Sequence, residues 1–160
     1  MTRGIDVTVA AVIERGGKFL MVEERAPDAL VLNQPAGHLE HGESLLAAVA
    51  REAFEETAHR FEPQHVVGFY LWHSAEAGIT YLRIAFCGSA EPAGGDVALD
   101  EGIVALHWLT RAELAQREQR LRSPMVLRCI DDYLAGQRYP LHCLTYLEPP
   151  SPALGERARG

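Results

Sequence analysis

Apolar and polar residues divide this chain into short strand-like runs and helix-like stretches. Asp6–Glu14 and Lys18–Glu24 are β-branched, apolar-rich runs on either side of Arg15-Gly16-Gly17, a hairpin pattern. Pro27 and Pro35 bracket an irregular stretch with room for a short strand at Leu30–Leu32. From Ser44 to Thr57 the composition changes to strong helix formers with helical spacing. Val66–Ser74 and Thr80–Gly88 read as further strands joined by Ala75–Ile79, and the Gly- and acid-rich segment Glu91–Gly102 reads as a loop. Ile103–Leu109 returns to strand character. Thr110 then caps a short predicted helix, Arg111–Arg117. Ser123-Pro124 places an N-cap and a first-turn proline before a helix running to about Ala135 and stopping at Gly136. There is no internal repeat, and the mixture is α+β.

Length and charge narrow the partners. A chain of 160 residues, 48% hydrophobic and 23% charged, is most simply one soluble domain. That domain is expected over residues 1–148, with the Pro-rich, polar segment 149–160 as a frayed tail. A net charge of −7 argues against a nucleic-acid polymer as partner, yet leaves room for a small anion met through a bound cation. The apolar run Val7–Ile13 is too short to span a bilayer, lacks the features of a secretory leader, and has no longer counterpart, so no membrane role is expected. Cys87, Cys129 and Cys143 are odd in number and scattered, which fits a reduced, cytoplasmic setting. Monomer and homodimer both remain open.

The chemistry concentrates in Gly37–His59. On a helix at about 100° per residue, Glu52, Glu55 and Glu56 share one arc, while Leu46, Val49, Ala50, Ala53 and Thr57 gather on another. Like charges this close repel, and a divalent cation is the natural compensator. Mg²⁺ and Mn²⁺ are hard ions that take oxygen ligands and substrate phosphates. Arg51 lies beside the cluster and can pair with Glu43. Gly37 and Gly42 frame a loop that must turn sharply and come close to it. His38-Leu39-Glu40-His41 offers zinc-type side chains without further ligands at a recognised spacing. No GxxxxGK[ST] phosphate loop is present.

An acidic run on a helix is usually a solvated face, but the joint pattern here is far more specific. It resembles the Nudix box, with Gly37, Glu43, Arg51, Glu52, Glu55 and Glu56 at the required spacing and Ala53 in the apolar slot. Ala58 stands where that pattern has Gly, His59 where it has an apolar residue, and Ala36 where a Gly commonly precedes the box. NQPAGHLE (33–40), LRSP (121–124) and GQRYPL (136–141) resemble segments of a bacterial phosphatase branch of the same family, extending the likeness from about Asp6 to Leu141.

The resemblance implies the Nudix fold, an α/β/α sandwich with a mixed β-sheet, and a Mg²⁺- or Mn²⁺-dependent hydrolase of a small phosphorylated substrate. The implied substrates are nucleoside di- and triphosphates and the pyrophosphates of thiamine and its hydroxymethylpyrimidine precursor. A pyrophosphohydrolase releasing pyrophosphate or a nucleoside monophosphate is the rival, and a non-catalytic sensing module the more distant one. Glu52, Glu55 and Glu56 are the expected catalytic carboxylates and, with the Gly37 carbonyl, the expected metal ligands. The base that activates water is left open among Glu55, Glu56 and a downstream acid, Asp100 or Glu101. Arg51, His38, Trp72, Arg83 and Arg138 are the expected substrate-binding residues, although a surface ion pair fits Arg83 equally well.

Overall fold

The Arg15-Gly16-Gly17 turn forms as its sequence predicts, because both glycines adopt positive φ, 58° and 79°. In this computed structural model, which describes residues 4–148, it separates β2 (Glu14–Arg15) from β3 (Lys18–Arg25). The expected tail lies outside the described residues. Strand β1 (Ile5–Val12) precedes this hairpin, and β4 (Leu30–Asn33), β5 (Ala36–His38) and helix α1 (Leu45–Thr57) follow it. The chain continues through β6 (His59–Ser74), β7 (Ile79–Pro92), β8 (Ile103–Thr110), α2 (Arg111–Ala115), α3 (Met125–Leu134) and β9 (Tyr139–Pro140).

Two sheets result. The first is mixed, with the order β5-β1-β7-β6-β9; β1 and β7 run parallel from Ile5↔Thr80 to Val12↔Cys87. The second joins β2, β3 and β4, with β8 on the other side of β3. Alternation along β1 decides what packs on each face. Val9, Ala11 and Ile13 join Val49 and Ala53 of α1, whereas Ala10 and Val12 join Val126, Cys129 and Ile130 of α3. The mixed sheet thus lies between the box helix and a late helix, which is the expected α/β/α sandwich with its apolar core on both faces.

The two long strands exceed their predicted lengths. β6 starts at His59 rather than Val66, and β7 continues to Pro92 rather than Gly88. Register shifts between Pro63 and His65 and between Val66 and Gly68 let β6 accommodate a proline and still pair with β7. Thr110 forms a full capping box with Glu113, and α2 then ends at Ala115, short of the expected Arg117. α3 begins at Met125, whose N–H donates to Ser123 Oγ at 3.2 Å, and its exit is marked by Gly136 at φ 85°. Cys87 and Cys129 are buried thiols and Cys143 an exposed one. No helix among the described residues is long and apolar enough to cross a membrane.

Candidate active site

Helix α1 is fixed at both ends. Ser44 Oγ accepts from Ala47 N–H at 3.1 Å, and Ala58 closes the last turn in the left-handed region, φ 54°, with its N–H on Phe54 O. Its inner face buries Ala48, Val49, Glu52, Ala53, Glu56 and Thr57. Carboxylates and core stripe were expected on different arcs. They overlap at Glu52 and Glu56, because the neighbour there is the backbone of the short strand β5.

Strand β5 explains how two buried carboxylates are tolerated. Ala11 N–H donates to Pro35 O at 2.9 Å and Leu39 N–H to Val7 O at 3.0 Å, with Gly37 opposite Val9 between them. In such a ladder Pro35, Gly37 and Leu39 bond toward β1, and Ala36 and His38 turn their backbone groups outward to α1. Glu56 Oε1 accepts from Ala36 N–H at 2.7 Å, and His38 O accepts from Arg51 at 3.1 Å. The Gly37 carbonyl, expected at the metal, is therefore directed at β1, and the Ala36 carbonyl is directed at the carboxylates. Gly37 serves differently: a Cβ built there would fall inside the Glu52 carboxylate.

Arg51 braces the cluster. It donates to both oxygens of Glu43 at 3.0 and 2.7 Å, to Glu52 at 2.9 Å and to Glu55 at 3.2 Å. The bond to Glu43 leads in raising the guanidinium pKa and in lowering that of Glu43. With its donors occupied in this way, Arg51 positions carboxylates rather than presenting a free charge to substrate.

The loop after β7 brings Asp100 to the same place, its N–H donating to Glu55 O at 2.9 Å. One ligand atom from each of Glu52, Glu55 and Asp100 lies within 4.8 Å of the others. Glu101, the other downstream acid considered, is exposed. Glu56 is 5% exposed, and burial pushes its carboxyl pKa up to about 9. Burial also raises Glu52, against the pull of Arg51.

Glu24 of β3 joins from the second sheet, 3.5 Å from Arg122, with burial raising its pKa and Asn33 and Arg122 opposing. Sequence reasoning missed Glu24. It sits in an ordinary polar strand end, and only the pairing with Val31 and Ile103 brings it here. A set of carboxylate oxygens braced by one guanidinium is the donor chemistry that a hard divalent cation requires.

The remaining expected residues separate. Arg83 is 3% exposed and is no surface ion pair: it donates to Gln34 Oε1 at 2.8 Å and Asn33 Oδ1 at 3.0 Å, and its Nε has no partner. His38 turns its ring to Asp6, Nε2 to Oδ2 at 3.0 Å. Trp72 stacks on Tyr81 with ring centroids 5.8 Å apart and an interplanar angle of 17°. Arg138 lies over the Tyr133 ring at 4.0 Å and donates to Tyr133 O and Gln137 O. It precedes β9 at the sheet edge opposite β5, so the fold does not bring it to the carboxylates.

Comparison with known proteins accounts for this geometry. The sequence model of the NUDIX domain matches residues 2–129. The chain belongs to the Nudix hydrolase family. It is 40% identical over 138 residues to Phosphatase NudJ of Escherichia coli K12, covering 86% of this chain and 89% of that one. A solved Nudix hydrolase from Nitrosomonas europaea is 48% identical, with a TM-score of 0.87 over 90% of this chain and 98% of its own. The MutT Nudix hydrolase of Burkholderia pseudomallei, 22% identical with a TM-score of 0.68 over 81% of this chain and 98% of that one, shares the fold. This Nudix protein is accordingly a hydrolase of phosphoanhydride bonds, in a family that generally uses divalent metals.

Proposed function

We propose that this Nudix hydrolase removes phosphate from nucleoside di- and triphosphates and from thiamine-related pyrophosphates such as hydroxymethylpyrimidine diphosphate, with Mg²⁺ or Mn²⁺ as cofactor. The observation that carries the reading is the convergence of Glu52, Glu55 and Asp100 beside a buried Glu56. Forty per cent identity to a protein named a phosphatase supports the product, orthophosphate. Glu52, Glu55, Asp100 and the outward Ala36 carbonyl would hold the metal. When bound, a divalent cation neutralises phosphate oxygens, acidifies water and steadies the leaving oxygen.

The protein's own groups do the positioning, on which phosphoryl transfer chiefly depends. Arg51 locks Glu43, Glu52 and Glu55 into one arrangement. Gly37 leaves the space that the Glu52 carboxylate fills. Ala36 N–H holds Glu56 Oε1, and burial alone keeps this carboxyl protonated; a cation bound beside it would favour the ionised form that can accept a proton. Arg122, close to Glu24 only at 3.5 Å, is a half-exposed cation placed to meet a phosphate.

A product-resolved assay tests the reading. Nucleoside di- and triphosphates, thiamine diphosphate and hydroxymethylpyrimidine diphosphate are incubated with Mg²⁺, and orthophosphate is separated from pyrophosphate. Orthophosphate as the first product is expected. Pyrophosphate with a nucleoside monophosphate would assign the pyrophosphohydrolase activity instead.

A further inference from the structure

The chain after β9 is a strap that ends on the loop leading into the carboxylate site. β9 pairs with β6 at one edge of the mixed sheet, through His65↔Pro140 and Val66↔Tyr139. A single 3₁₀ turn, Leu141–Cys143, follows. Leu141 and Leu144 pack against the apolar cluster that contains Val49 and Ala53 of α1. Tyr146 then donates its hydroxyl to Gly42 O at 3.0 Å. Gly42 lies between β5 and α1, so the strap leaves one sheet edge and closes on a loop beside the other. It also lies beyond residues 2–129, the stretch that the family model matches.

That loop has little packing to fix it. Gly42 is left-handed, φ 80°, and a Cβ added there would meet nothing within 4 Å. The backbone bond across the turn, from Glu43 N–H to Glu40 O, is long at 3.4 Å. Yet the loop carries Glu43, whose carboxylate accepts from Glu40 N–H at 2.8 Å and from Arg51 at 3.0 and 2.7 Å. Arg51 in turn donates to Glu52 at 2.9 Å and to Glu55 at 3.2 Å. The peptide unit is rigid, so a hydrogen bond on Gly42 O fixes the Gly42–Glu43 plane and the point from which the Glu43 side chain starts. The strap is already anchored by Leu141 and Leu144, so its own attachment does not require this bond.

We propose that Tyr146 is a positioning residue: through Gly42 O it sets the Glu43–Arg51 brace, and thereby the placement of Glu52 and Glu55 that a divalent cation meets. This goes beyond the phosphatase reading, since it concerns how the carboxylates are held, whichever phosphoanhydride is cleaved.

The test substitution is Tyr146→Phe, which keeps the ring and removes only the hydroxyl. The first readout is solvent exchange of backbone amides, followed by NMR in EDTA, and it needs neither metal nor substrate. Glu40 N–H, which is bonded to Glu43 Oε1, should exchange about 3- to 10-fold faster in the variant, the equivalent of one neutral hydrogen bond. Amides in the β1–β7 ladder should keep their wild-type rates. Unchanged exchange at Glu40 overturns the proposal, and so does an equal acceleration throughout the sheet.

The second readout is Mn²⁺ binding by calorimetry, in a double-mutant cycle with Glu43→Gln. Tyr146→Phe should weaken Mn²⁺ about 3- to 10-fold on its own, and by less than about 2-fold once Glu43 is glutamine. The same loss in both backgrounds means that the hydroxyl does not act through Glu43 and contradicts the proposal. No loss in either background contradicts it as well. If the wild-type protein binds no Mn²⁺, the metal assignment fails, and exchange at Glu40 by itself decides for or against Tyr146.

Discussion

Replacing Glu56 by glutamine separates the chemistry of the site from the cost of building it. Glu56 is 5% exposed, and burial raises its carboxyl pKa from 4.5 to about 9 when no cation is present. A raised carboxyl binds its proton in the native state across that interval while the unfolded chain has released it. Stability contributed by this group is thus intact at low pH and falls as pH rises from about 4.5 to about 9. At 1.36 kcal/mol per unit, the buried carboxyl costs about 3 kcal/mol at pH 7. Glutamine keeps the shape and an oxygen for the Ala36 N–H, which now lies 2.7 Å from Oε1. For a chain of this length the gain corresponds to a Tm higher by roughly 6–12 °C at neutral pH. The assay is differential scanning fluorimetry in EDTA from pH 4.5 to 9, beside hydrolysis rates with Mg²⁺. Glu56→Gln should be more stable at neutral and higher pH, lose that advantage toward pH 4.5, and turn over at least about 100-fold more slowly. A variant no more stable than wild type at any pH would refute the claim that this carboxylate is held at a cost.

Gly37→Ala drives a methyl into the Glu52 carboxylate, so kcat/KM should fall about 100-fold and the Mg²⁺ concentration for half-maximal rate should rise, both read from metal titrations. Arg51→Lys cannot reproduce the two-pronged grip on Glu43, and chemical denaturation should show a loss of about 1–3 kcal/mol together with slower turnover. Ala58→Gly removes the strain of a left-handed alanine at φ 54°; Tm should rise by about 2–4 °C with kcat unchanged.

The carboxylate site was legible because its constraints are local. Glu52, Glu55 and Glu56 lie on one helix, and the spacing from Gly37 through Glu43 to Arg51 is written in a continuous stretch. Asp100 was nameable as a loop acid, but its bond to Glu55 O joins residues far apart in sequence. Glu24 carried no signal, since only strand pairing brings it near Glu56. The choice between the Ala36 and Gly37 carbonyls depends on the hydrogen-bond phase of β5, a three-residue strand too short for periodicity to reveal. Arg138 lies in one of the segments that carry the family resemblance, yet at the far sheet edge, because chain order and sheet order differ. The hairpin, α1 and α3 were readable from turn and cap residues. The extensions of β6 and β7 were not, because bulges carry pairing past Pro63 where sequence alone suggests a break.

Most direct for the central claim is orthophosphate release from thiamine diphosphate and nucleoside diphosphates by wild type and Glu52→Gln, each shown to be folded by circular dichroism. The account predicts release that needs Mg²⁺ or Mn²⁺, stops in EDTA and nearly vanishes in the variant. Release that survives EDTA, or equal rates from both proteins, would contradict it.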